Sequence, residues 1–139
     1  MQLTKTMIAV IALAALASGC STHSPMRMSN AATVTGQSTA TYAAHTNKVF
    51  VTEEVLASSV QFERLGQIDI GMTTYSSMEE VLKRLANKAR ELGADAVVDV
   101  HTWRQPSGWA WIAPQGKGQA VRFKDKASVD FSALKGDWR

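Results

Sequence analysis

Apolar residues are distributed along this chain in three distinct ways. Met7 to Ala17 is an unbroken apolar run of eleven residues. No period follows for about thirty residues, and then two periods alternate. From Val60 to Gly71, Val60, Phe62, Ile68 and Ile70 fall on one side of a period of two, and Gln61, Glu63, Gln67 and Asp69 on the other. This predicts a half-buried strand, with Gly66 placed where a bulge or bend fits. Next, Met78, Val81, Leu82, Leu85, Ala86, Ala89 and Leu92 form one stripe at helical spacing. Ser76-x-x-Glu79 and Ser77-x-x-Glu80 both fit a capping box, which puts the helix start near residue 77, and Gly93 supplies its C-terminal stop.

Shorter runs complete the pattern. Lys48–Thr52 and Gln119–Lys124 read as short strands, and Ala94–Arg104 as a longer one. In the last, Ala96, Val98 and Val100 face one way, and Val97, Asp99, His101 and Trp103 the other. Residues 53–59 read as a loop. The stretch 105–118, rich in Gly and Pro, reads as a long hairpin connection whose ends extend the strands. The fold class expected is therefore α+β: a β-β-α-β-β domain over 48–124, one helix packed on an antiparallel or mixed sheet. In the tail 125–139, Val129, Phe131, Leu134 and Trp138 either dock on the domain or bind a partner.

The apolar run changes the picture of where the chain works. With Lys5 before it and small residues after it, it has the layout of a secretory signal peptide, and it is shorter than the roughly 20 residues a spanning helix needs. It ends in Ala17-Ser18-Gly19-Cys20, which resembles the lipobox of bacterial lipoproteins. Residues 1–19 are then a signal peptide and Cys20 the lipid attachment site. Ser21 stands where a retention signal would place Asp, and by resemblance to Gram-negative lipoproteins this implies the outer membrane, facing the periplasm. The alternative is cleavage after Ala17 at Ala15-Leu16-Ala17, which leaves a soluble periplasmic protein with a free thiol. Residues 20–47 are expected to be a disordered tether: positions 21–47 hold ten Ser or Thr, five Ala and no acidic residue, and show no amphipathic period. His23, Met26, Met28 and His45 are read there as solvated linker residues.

Composition adds little but excludes something. Formal net charge is +3 over 139 residues, and removal of Lys5 with the signal leaves +2. That balance, with no basic-and-aromatic stripe, gives no case for nucleic acid. Cys20 is the one cysteine, so no internal disulfide can form.

Val49-Phe50-Val51-Thr52, Leu65-Gly66-Gln67-Ile68-Asp69-Ile70-Gly71 and Glu91-Leu92-Gly93-Ala94-Asp95-Ala96-Val97-Val98, in the order strand, strand, helix, strand, strand, resemble the YbjQ-like heavy-metal-binding family. The outline is also similar to the RcsF-like sensor domain of outer-membrane stress lipoproteins, which follows a lipidated cysteine and a disordered tether. The resemblance covers 48–124 and speaks to fold more than function. It implies a ring-forming or envelope-sensing domain. RcsF-like domains carry disulfides, which this chain cannot make.

Candidate chemistry is sparse. Asp99 and His101 share one strand face and are acceptable ligands for zinc or copper, with Asp69 of a neighbouring strand as a third donor if the register permits. Trp103 lies on that face. Trp109 and Trp111, flanked by Gly108 and Pro114, fall on one side of a strand; such a pair anchors a partner protein, a glycan or a membrane headgroup layer, or else folds back to cap the core. No nucleophile elbow or H-E-x-x-H helix is present. The expectation is a non-enzymatic envelope lipoprotein that binds another envelope protein, as a stress sensor or assembly accessory, through Trp103, Trp109 and Trp111. The alternatives are a periplasmic metal-binding protein without other cofactor, centred on Asp99 and His101, and a structural homo-oligomer.

Overall fold

The computed structural model describes residues 29–139, so the signal peptide and Cys20 lie outside the described residues. The chain runs β1 (Ala31–Thr35), β2 (Phe50–Thr52), β3 (Phe62–Gly71), α1 (Met78–Glu91), β4 (Ala96–Ser107), β5 (Ala110–Phe123), a short 3-10 turn (Lys126–Ser128) and β6 (Gly136–Trp138). The fold is α+β. Among the described residues, one mixed six-stranded sheet has the order β1-β3-β5-β4-β2-β6, with a single helix packed on it. Only β2 and β4 are parallel, because the chain returns between them through β3 and α1.

Helix α1 sits where its caps and stripe demand. The Ser77 hydroxyl accepts from the Glu80 backbone N–H at 3.1 Å, satisfying one of the orphan donors of the first turn. The Glu80 carboxylate does not complete a reciprocal box; it pairs with Arg84 one turn on. At the other end Gly93 (φ +75) follows the last helical turn, with Gly93 N–H bonded to the Arg90 carbonyl and Ala94 N–H to the Ala89 carbonyl. That is a Schellman closure, and it requires a residue at ease in the left-handed region. Val81, Leu85, Ala86 and Ala89 are fully buried against the sheet. The helix can lie this close because β5 presents Gly116 beneath it, where a Cβ would meet Val81 Cγ1 at 2.5 Å; Gly118 makes room instead for Val97 of the neighbouring β4, whose Cγ1 a Cβ there would meet at 2.5 Å.

Two bulges govern which residues reach which face. β3 shifts register between Arg64 and Gly66, where Gly66 has φ +151. Phe62 therefore joins the layer opposite the helix, while Ile68 and Ile70 join the helix-side core. The strict alternation expected across 60–71 is wrong on this point, since one extra residue reverses the phase of everything after it. β4 does the same between Val98 and His101, with Asp99 at φ +53. Val97 and Val100 face the helix and Ala96 and Val98 face away from it, so Val100 departs from the side expected for it.

Residues 105–118 are not a connection. β4 and β5 extend through them as 12- and 14-residue strands joined by the two-residue turn Gly108-Trp109, with Gly108 (φ +54) at the first central position as in a type II′ turn. Pro106 is tolerated at a second bulge, between Gln105 and Ser107.

The tether expectation fails for 31–47. β1 pairs with β3 along five residues, from Ala31 opposite Gly71 to Thr35 opposite Gln67. The segment after it straps across the C-terminal end of α1: His45 N–H donates to the Arg90 carbonyl, His45 Nε2 lies 2.7 Å from the Ala94 carbonyl, and Arg90 Nε donates to the Asn47 carbonyl. Tyr42 packs on the helix-side core, bonds the Glu63 carboxylate, and lies under the Arg122 guanidinium at 4.4 Å. An edge strand is held by main-chain bonds on one side and needs no amphipathic period, which is why AATVT carries none. The tail also joins the domain. Val129, Phe131 and Leu134 cover Phe50, Val98, Val121 and Phe123 on the face away from the helix, and β6 pairs with β2.

Candidate functional site

Two places hold the residues singled out from the sequence. The first is the sheet face opposite α1, beyond the cover of the tail. Partners across an antiparallel ladder share a face, and the registers Asp69↔Lys117 and His101↔Lys117 set these three side chains in one row. Asp69 and His101 stand two strands apart, about 10 Å, with the Lys117 ammonium between them. A cation in the middle of a would-be ligand set opposes a metal ion. Asp99 does lie beside His101: its carboxylate is 3.6 Å from Nδ1, and its carbonyl is 3.0 Å from the same nitrogen. Both side chains are substantially exposed, at 42% and 60%, around a hollow of about 90 Å³ bounded also by Gln67 and Gln119. Among the described residues, no group of three or more His, Cys, Asp or Glu comes together. Trp103 follows on the same face opposite Gln115, half-buried, its indole N–H bonded to Gln105 Oε1 at 2.8 Å.

The second place is the end of the β4–β5 hairpin. Trp109 and Trp111 do not fold back onto the core: they are 88% and 78% exposed, and Ile112 and Tyr75 stand out beside them at 54% and 63%. The bulge between Gln105 and Ser107 bends the hairpin so that its turn lands on Thr73. Trp109 N–H donates to the Thr73 carbonyl at 3.0 Å, and a Cβ on Gly108 would strike Thr73 at 2.6 Å. Trp111 N–H approaches the Tyr75 hydroxyl at 3.5 Å. Beneath the turn, Gln115 is fully buried; its amide donates to the carbonyls of Met72 (2.9 Å) and Ala113 (3.3 Å) and to Ser107 Oγ (3.4 Å). The exposed rings therefore ride on a braced support. Pattern reading found Trp109 and Trp111 but missed Tyr75, Ile112 and the brace, which only the bent hairpin brings together.

A cleft of about 300 Å³ lies between the end of β2, Leu82 of α1, and β6. Its rim carries Glu53, Glu54, Lys135, Asp137 and Arg139, so its charges are mixed, and Arg139 is engaged with both Glu79 and Asp137. No helix of the described residues is long and apolar enough to cross a membrane. No family model matches the chain, and neither a curated protein nor a solved structure matches it significantly.

Proposed function

We propose that this protein is a non-enzymatic lipoprotein of the bacterial envelope, exported by residues 1–19, acylated at Cys20, and held on the periplasmic side of the outer membrane. There its α+β domain binds another envelope protein, as a stress sensor or assembly accessory. The anchoring half of this reading is supported by the lipobox-like Ala17-Ser18-Gly19-Cys20 after an eleven-residue apolar run. A kinship with YbjQ-like and RcsF-like domains is proposed on the motifs at 49–52, 65–71 and 91–98 alone.

The observation that carries the binding half is that the core closes without the large rings of the β4–β5 hairpin. Its helix side is filled by Ile68, Ile70, Val81, Leu85 and Val97 and its other side by Phe50, Val121 and Phe123, so that Trp109 and Trp111 stay exposed and Trp103 stays only partly buried on the sheet face away from the helix. Large aromatic rings left at a surface favour recognition, where burial of one ring contributes far more than a rim charge. Trp103, flanked by His101 and Gln105, is the proposed protein-facing anchor.

Two measurements test this. Intact mass of the mature protein from outer-membrane fractions should begin at Cys20 and include two or three acyl chains; an unacylated chain starting at Ser18 rejects the anchor. Benzoylphenylalanine in place of Trp103, irradiated in cells, should give a discrete adduct with an envelope protein. Adducts only from a buried control position such as Ile68 would reject the binding surface.

A further inference from the structure

We propose that the end of the β4–β5 hairpin (Tyr75, Trp109, Trp111 and Ile112) seats in the headgroup layer of the membrane to which Cys20 is anchored, fixing which end of the domain faces the bilayer. The proposal rests on the acylation of Cys20 and adds to it an orientation and a second contact.

Three observations converge on a lipid surface as the occupant. The first is where the chain enters the fold. Asn30 Oδ1 accepts from both Thr73 N–H (2.8 Å) and Thr73 Oγ1 (2.9 Å), while the Thr73 carbonyl accepts from Trp109 N–H (3.0 Å). One residue thus ties the entry of the chain to the turn that carries Trp109. The second is reach. Ten steps of backbone separate Cys20 from Asn30, so the entry point lies within about 33–36 Å of the acylated residue at full extension. The exposed rings are at the end of the domain that the anchor holds nearest the bilayer. The third is charge. Segments 29–34, 72–77 and 103–114 contain one ionised side chain, Arg104, and the carboxylates that follow them, Glu79 and Glu80 in the first turn of α1, are paired with Arg139 and Arg84. An end built of Trp, Tyr, Ile and neutral polar groups with a single arginine suits the interface, where amphipathic rings sit at headgroup level and a guanidinium meets phosphate. The opposite end, around Glu63, Arg122, Lys124 and Asp125, has no such character. A protein partner would be free to approach the domain from any side; the coincidence of entry point, short reach and sparse unpaired charge is explained by the membrane.

The test uses the mature acylated chain with Trp103→Phe and Trp138→Phe, so that only Trp109 and Trp111 emit. It is reconstituted into phosphatidylethanolamine–phosphatidylglycerol vesicles, with acylation checked by intact mass. The expected result is a blue-shifted emission quenched at least twofold when brominated lipids replace ordinary ones. Acylated protein whose emission stays at the solvent-exposed position and unquenched overturns the proposal while leaving the anchor standing. Failure to find acyl chains at Cys20 overturns the anchor and this proposal with it. In cells, benzoylphenylalanine in place of Trp109 should yield lipid adducts, and a dominant protein adduct would overturn the lipid assignment in favour of a protein occupant.

Discussion

Replacing Gly118 with Ala tests the packing on which the whole sheet depends. Gly118 lies in the centre of β5 with an ordinary backbone conformation, so the substitution introduces no dihedral strain. Its methyl would stand 2.5 Å from Val97 Cγ1 and 3.0 Å from Val100 Cγ2. Carbon atoms rest at about 3.5–4.0 Å, so roughly 1 Å or more must be opened. Val97 is fully buried and β-branched, with one favoured rotamer, and it cannot swing away. Overpacking of this kind costs about 1–3 kcal/mol. The lower entropy of an unfolded chain with Ala in place of Gly offsets about 0.4–1 kcal/mol of that. The net expectation is a loss of about 0–2.6 kcal/mol, read in urea as a lower midpoint at unchanged slope. In a thermal scan each kcal/mol corresponds to a drop of roughly 3–6 °C for a domain of this size. The diagnostic partner is Val97→Ala, which alone removes two buried methyl groups and costs about 2 kcal/mol. In the double variant the new methyl occupies the space just vacated, so the combined loss should fall short of the sum by about 1 kcal/mol. Strict additivity of the two losses would refute the claim that Gly118 leaves the room into which Val97 packs.

Gly93→Ala should lose more, because φ +75 is strained for Ala by about 1–2 kcal/mol and the new Cβ would also meet Tyr42 Cβ at 2.6 Å and the Ala43 carbonyl at 2.9 Å; limited proteolysis should then cut within 36–47. The Glu63 carboxyl is held below its ordinary value by hydrogen bonds from Tyr42 and then Ser38, so its contribution is present above the unfolded-state pKa and lost as pH falls through the lowered folded one. The protection of amides 38–47 against hydrogen exchange, relative to the unfolded chain at the same pH, should therefore fall in acid, below the ordinary glutamate range, and Glu63→Gln should abolish that pH dependence. The Tyr42 hydroxyl is raised by the same hydrogen bond, so on the alkaline side the strap should loosen only above the ordinary tyrosine range. Phe131→Ala should cost about 2–4 kcal/mol, since its ring packs at 5.1 Å on Phe50, 5.6 Å on Phe123 and 4.8 Å on Trp138; a Trp138 emission that does not move would mean the tail docks by other contacts.

The helix was legible in its stripe, its Ser77 cap and its Gly93 stop, which act within one turn of themselves, but not in the second half of its capping box, because Glu80 pairs with Arg84. The strands were legible only as far as their phase. Gly66 was recognisable as a bulge, but the need for glycine there also comes from Val34, whose Cγ1 a Cβ on Gly66 would meet at 2.7 Å, and Val34 belongs to a strand with no period of its own. Asp99 offered no signal, since its left-handed φ is set by the register of β4 on β5 and by the bond from its N–H to the Glu54 carbonyl. The glycines of QGKG looked like turn formers because their actual role, letting Val81 and Val97 approach, is a tertiary contact invisible along the chain. The same limit applies to the candidate sites. Asp69 was expected on a strand neighbouring that of His101, but β5 lies between β3 and β4 and sets Lys117 between the two residues, an order and register that local pattern does not determine.

The ordering of 29–47 changes the geometry of the proposed anchor more than it changes the fold. A free tether from Cys20 to Asn47 would reach about 90–97 Å at full extension and would leave the domain free to tumble. With β1 paired from Ala31 and Asn30 bonded to Thr73, the link shortens to ten steps and leaves the domain at one defined corner. To bring the opposite end of the sheet to the bilayer, the link would have to double back along β3. From Gly71 to Phe62 that strand runs about 30 Å, nearly the whole reach of the link. Such an inverted arrangement requires an almost fully stretched chain and forfeits its conformational freedom, whereas the arrangement with Trp109 and Trp111 toward the lipid requires no stretching. The ordered entry therefore has two parts: the strap across α1 closes the core over Gly93, and the β1 pairing with the Asn30–Thr73 bonds would turn the proposed lipid attachment into an orientation.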